Sequence, residues 1–129
     1  MIRPYVAILA VVLTPVFFSA CSGPESAPVQ AVRSYLEALA AKDLEGMVSV
    51  SCAEWEASAR MEVESFAAVT PELVNLECET AGMDDQASLV TCTGQLKLDY
   101  DGEIQELELS GQVYRAIQEG GEWRMCGYK

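Results

Sequence analysis

Five cysteines and no histidine set the chemistry open to this 129-residue chain. Without histidine, the proton shuttle that works near neutral pH is missing. Zinc is the competing use for cysteine, but no two cysteines stand in a C-x-x-C pair and no histidine can complete a site. No metal and no cofactor are therefore expected. Oxidation is the chemistry left: Cys52, Cys78, Cys92 and Cys126 form an even set that two disulfides would use up, with three possible connectivities. Cys21 stands apart from them. It closes the stretch "FFSAC", and "SGPESAP" follows at once.

The elements around Cys21 explain its position. Residues 5–18, "YVAILAVVLTPVFF", carry no charge. As a helix this run would span roughly 21 Å, short of the ~20 apolar residues that a bilayer core of about 30 Å requires. A short positive start at Arg3, an apolar run of this length and small residues after it describe an export signal, with a short anchor helix as the alternative. The end of the run resembles a bacterial lipoprotein signal, in which small residues precede a cysteine that is lipidated and becomes the mature N-terminus. Ser19 and Ala20 match the small positions and Cys21 the cysteine, while Phe18 departs from the usual aliphatic. An ordinary export cut after Ser22 is the rival, and it would remove Cys21. The lipid reading also explains the abrupt change to a tether of small residues, Pro and Glu. It divides the chain into a signal at 1–20, a lipidated tether at 21–26 and a domain at 27–129, held at the membrane by its acyl chains. The expected location is the cell envelope outside the cytoplasm, with Ser22 pointing to the outer membrane or cell surface.

All twenty acidic residues follow Cys21, together with seven of the eight basic ones. Such a surface repels phosphate backbones, and no Lys/Arg cluster offsets it, so nucleic acid is excluded as a partner.

The rest reads as a helical half followed by a strand half. Ser26 can cap a helix from about Ala27 to Ala41 with Pro28 in its first turn, and Val29, Val32, Leu36 and Leu39 share one face. Asp43 begins a short second helix. Ser51-Cys52-Ala53-Glu54 reads as a capping box for a third, with Trp55, Ala59, Val63 and Phe66 as its stripe. Thr70-Pro71 ends the helical half. From Leu73 onward the period becomes two. Asp101-Gly102 predicts a two-residue hairpin, placing Leu96 opposite Leu107 as an inside apolar pair and Lys97 opposite Glu106 as an outside charge pair. A hairpin turning near Asp85 sets Cys78 across from Cys92, which leaves Cys52 to Cys126. The last segment resists, because Cys126 points away from Trp123 and Met125. A two- or three-residue turn at "EGGE" flips those faces, and a bulge or a cysteine at the sheet margin would also reconcile them. The expected architecture is α+β, with three N-terminal helices packed on a curved antiparallel sheet of about four strands.

The stretches "PVQAVRSYLEALAAKDLEGMVSV" and "GQVYRAIQEGGEWRMCGY" resemble the nuclear transport factor 2-like superfamily, in which a curved sheet wraps helices into a cone. The resemblance implies a cavity at the open end of that cone, used by some relatives for isomerase, dehydratase or cyclase chemistry and by others only for binding. No catalytic residue of the family maps onto this chain. Glu62 flanks the third-helix stripe and Asp99 adjoins a turn, both read as solvated. "DYDGE" at 99–103 lacks the later ligands of a calcium loop and reads as a turn. Arg115, continuing the row of Leu107, Leu109, Val113 and Ile117, is the candidate to hold an anionic ligand in the cavity, with an ion pair at the sheet edge as the bland alternative. Tyr35 is the second candidate pocket residue, its hydroxyl turned to the same cavity or satisfied within the core. The function expected is a non-catalytic, membrane-tethered domain that binds a small ligand or a protein partner. The alternatives are a cone-cavity enzyme of the isomerase or cyclase type without histidine, and a structural spacer.

Overall fold

A computed structural model describes residues 25–129. The expected signal, the lipidation of Cys21 and most of the tether lie outside the described residues. Three helices lead: α1 (Ala27–Ala40), α2 (Leu44–Ser49) and α3 (Glu56–Ser65). Five strands follow: β1 (Thr70–Asp84), β2 (Ala87–Tyr100), β3 (Glu103–Glu108), β4 (Val113–Glu119) and β5 (Glu122–Tyr128).

All five strands belong to one antiparallel sheet in the order β1-β2-β4-β5, with β3 also paired to β2. The expectation of about four strands is therefore corrected to five. Its cause is the turn at Leu109–Gln112, where the Gln112 amide donates to the Leu109 carbonyl at 3.1 Å. This turn cuts residues 103–119 into two strands that pair with successive stretches of β2, residues 95–100 and 88–91. The helical layer also differs from a set of three laid on the sheet. α1 alone runs along it, meeting β1, β2, β4 and β5, while α2 bridges α1 to α3.

α1 works because its apolar residues recur at helical spacing. Val29, Val32, Tyr35, Leu36 and Leu39 are all buried, and burying one such side chain contributes about 1.5–3 kcal/mol. Asp43 caps α2, its carboxylate accepting from the Gly46 amide at 3.0 Å. The predicted capping box is not formed. Ser51 is bridged to Met125 of β5, its hydroxyl donates to the Met47 carbonyl at 2.7 Å, and α3 begins only after Trp55. Drawing Ser51 and Cys52 onto the sheet edge competes with the helix start and wins, because both neighbouring backbone groups find partners on Met125.

The β2–β3 register is Leu96↔Leu107, Lys97↔Glu106 and Tyr100↔Glu103, around a turn in which Asp101 and Gly102 both have positive φ. Bulges bend the long strands. One interrupts β1 between Val74 and Glu77. Opposite it Gly94 (φ +110°) passes so close that a Cβ would stand 2.6 Å from the carbonyl oxygens of Val74 and Asn75. A second interrupts β1 between Thr80 and Gly82, and a third lies in β5, where Tyr114↔Tyr128 and Ala116↔Met125 leave Cys126 and Gly127 opposite Arg115. With that extra residue Met125, Cys126 and Gly127 are buried in succession, so the strict alternation of faces expected for the last strand does not hold. The disulfides are Cys52–Cys126, which ties the segment before α3 to β5, and Cys78–Cys92, which joins β1 to β2. Among the described residues no helix is long and apolar enough to cross a membrane.

Candidate functional site

The two residues singled out for a pocket are not brought together. In β4, Tyr114 and Ala116 enter the core. Arg115 therefore lies on the opposite face with Val113 and Ile117, opposite Leu89 of β2. The row drawn through Leu107, Leu109 and Arg115 fails because the Leu109–Gln112 turn resets the alternation. The Nε of Arg115 is buried without a hydrogen-bond partner, but the residue is not part of the cleft described below.

Tyr35 is fully buried in α1. Its hydroxyl donates to Oε2 of Glu62 at 2.7 Å and accepts from the indole Nε1 of Trp55 at 3.1 Å. The other carboxylate oxygen of Glu62 accepts the Tyr128 hydroxyl at 2.8 Å. Around this carboxylate the rings of Trp55 and Tyr128 meet edge to face at 5.4 Å, and those of Tyr114 and Tyr128 stand 5.4 Å apart and tilted. Glu62 is thus a half-buried acid enclosed by aromatic side chains.

The sequence holds a signal for it. Glu62 is seven residues after Trp55, three after Ala59 and four before Phe66, so it borders the apolar stripe of α3 on the Trp55 side. An acid on a buried helix face needs donors. The tyrosines supply them.

Gly127 lets the aromatic group close. It has φ +100°, and a Cβ there would come within 3.0 Å of the Trp55 ring. Only a residue without a side chain lets the indole lie on β5 in this way.

Burial raises the hydroxyl pKa of all three tyrosines, and the charge of Glu62 adds to it. Tyr114 is pushed up to about 12, and Tyr35 and Tyr128 rise further. Across the physiological range all three are neutral, and Tyr35 and Tyr128 donate to Glu62. For Tyr35 and Tyr128, the hydrogen bond to Glu62 acts in the same direction.

Glu62, Tyr114 and Tyr128 line a cleft of about 280 Å³ between the helices and the sheet. Leu36, Leu39 and Phe66 form its helix wall and Leu96, Leu107 and Leu109 its sheet wall. The polar rim is Ser65, Glu108 and Gln112. Leu107 keeps 46% of its surface in solvent; the pair it forms with Leu96 faces the cleft mouth and not a sealed interior. A larger hollow of about 720 Å³ at the β4–β5 turn has no ionisable side chain in its lining. The groove beside Cys78–Cys92, about 210 Å³, is rimmed by the exposed side chains of Glu77, Glu79 and Thr93. The Glu62 cleft alone of these joins apolar walls to a fixed polar group, the usual make-up of a ligand site. Among the described residues no group of three or more His, Cys, Asp or Glu side chains is placed to hold a metal ion.

No family model and no curated protein matches the chain. Similarity appears among solved structures. A SEC-C motif containing protein from Rhodopseudomonas palustris superposes with a TM-score of 0.51 over 80% of this chain and 77% of that one, at 13% identity. Aln2 from a Streptomyces species covers 74% of this chain and 80% of its own, at 15% identity and a TM-score of 0.47. The first is a likeness of fold alone, and the second carries no weight on its own.

Proposed function

We propose that this chain is a membrane-tethered, extracytoplasmic lipoprotein whose domain binds a small ligand in the Glu62 cleft without transforming it. The observation that carries the reading is the cleft itself: apolar walls on two sides, with a carboxylate in the lining held in place by two tyrosine hydroxyls. Holding a polar group rigid inside an apolar hollow is how a binding site obtains orientation at low entropic cost. A structural spacer needs no such feature. Two disulfides suit an oxidising compartment, and the apolar run ending at Cys21 suits acylation there. The order of helices before an antiparallel sheet, with a cleft between them, supports placing residues 27–129 with the nuclear transport factor 2-like superfamily.

An isomerase- or cyclase-type enzyme is the second reading, carried by the same carboxylate. A general base must reach the proton that it removes. Both oxygens of Glu62 already accept hydroxyls, and Tyr35 is sealed from solvent. Binding is therefore the stronger reading.

The test is a small-molecule screen read by amide chemical shifts. Ligands should move the amides of Leu107, Gln112 and Tyr128, and Leu107→Trp, which fills the mouth from an exposed position, should abolish those shifts. A screen whose hits all fall elsewhere on the surface would exclude the cleft as the site.

A further inference from the structure

We infer that the cleft is built for a small cation carrying an apolar group, such as a primary or quaternary amine on a ring or a short alkyl chain. The inference rests on the binding reading above and concerns only the charge and shape of the ligand.

Charge comes first. The ionisable side chains lining the cleft, apart from its tyrosines, are Glu62 and Glu108, both acidic. No lysine or arginine is among its lining residues. Most basic side chains of the described residues are engaged elsewhere. Arg33 pairs with Glu25, Lys97 with Glu106, Arg124 with Glu122 and Lys129 with Asp84. Lys42 donates to the Ala67 carbonyl. Arg60 lines a separate hollow against α2, and Arg115 faces away from the core. Glu62 thus has hydrogen-bond donors but no counter-charge. A half-buried acid in that state attracts a cation more strongly than a surface carboxylate does, because solvent screens it less. The chain's formal net charge of −12 adds a long-range field of the same sign.

The aromatic groups point the same way. Tyr114 and Tyr128 lie side by side at the cleft, and Trp55 meets Tyr128 edge-on behind them. Aromatic faces beside an acid recognise ammonium groups, whose charge interacts with the ring quadrupole. An anion would meet the negative faces of these rings and two carboxylates. Volume sets the size: about 280 Å³ falls just below the ~300 Å³ at which pockets for drug-sized ligands begin. One ring or a short chain fits between Leu39, Phe66 and Leu107.

Three probes that share a phenethyl group separate the possibilities on the full chain in nonionic detergent: phenethylammonium, 2-phenylethanol and 3-phenylpropionate. Shifts of the Gln112 and Tyr128 amides report the cleft specifically. Phenethylammonium should bind about tenfold tighter than the alcohol, and the carboxylate should bind weakest. Glu62→Gln, which keeps the shape and an acceptor for one hydroxyl, should remove the preference for phenethylammonium over 2-phenylethanol. Should the variant unfold, the order of the three probes on the unaltered chain still decides. Equal or tighter binding of the alcohol or the carboxylate at these amides overturns the cation assignment and leaves the binding reading intact. Failure of all three probes to move them overturns both.

Discussion

The Tyr128 hydroxyl donates to Oε1 of Glu62 at 2.8 Å, joining residues 66 apart in the chain. This contact fastens α3 to the last strand at the edge of the cleft. It also makes the candidate site part of the fold's own bracing, so changes there should register in stability as well as in binding.

Glu62→Ala removes the acceptor for two hydroxyls, one of them fully buried. Leaving buried donors unsatisfied costs about 1–3 kcal/mol. Tyr128→Phe loses one donor and leaves Tyr35 paired, which should cost only about 1 kcal/mol. Urea midpoints for the two variants and their double mutant give the coupling directly. Losses that simply add in the double mutant would mean that Glu62 does not depend on Tyr128.

Alkaline pH should loosen the domain. An unfolded tyrosine ionises near ~10, while Tyr114 is pushed up to about 12 and Tyr35 and Tyr128 higher still. Above about pH 10 the unfolded chain has released protons that the folded chain still holds. The stability is whole below that pH and falls as pH rises through 12. Each such group contributes up to ~1.4 kcal/mol per pH unit. Absorbance at 295 nm should show these three tyrosines ionising together with the loss of near-ultraviolet dichroism. Full ionisation of Tyr35, Tyr114 and Tyr128 near pH 10, with the dichroism unchanged, would contradict the enclosure of Glu62.

Gly127→Ala should be unusually costly for so small a change. It sets a side chain at φ +100° and drives a methyl to within 3.0 Å of the Trp55 ring. Strain of this kind costs about 1–3 kcal/mol. The neighbouring turn glycine Gly121, whose Cβ would meet nothing within 4 Å, is the control: its alanine variant carries only the backbone term. Thermal melts of the pair should separate them.

The disulfides should differ in weight. Cys52–Cys126 closes a separation of 74 residues and Cys78–Cys92 one of 14. By loop entropy these are worth about 4.5 and about 3 kcal/mol. The double serine variant at 52 and 126 should therefore melt below that at 78 and 92. The reverse order would show that local register, and not the long link, carries the stability.

Much of this fold can be read from local pattern. Asp101-Gly102 fixes its hairpin register because the turn admits only two residues of positive φ, and the pairing of Leu96 with Leu107 follows from it. The helical spacing from Val29 to Leu39 likewise specifies the buried face of α1. Two errors share one cause. Drawing residues 103–119 as a single strand gives four strands in place of five and puts Arg115 on an inward row. The short turn at Leu109–Gln112 has no proline and only Gly111 to mark it. Ser51 shows a different limit. Its capping signature is genuine at the local level, yet pairing to Met125, 74 residues away, overrides it. Glu62 is legible by spacing, while its charge argues for solvent. Its donors come from α1 and β5, and no window along the sequence contains all three residues.

Binding in the Glu62 cleft is tested most directly by a crystal structure of the chain purified from its native membrane. Non-protein density touching Glu62, Tyr114 and Leu107 is the expected result. A cleft occupied only by water, or closed by Leu107 and Phe66 in contact, would contradict it.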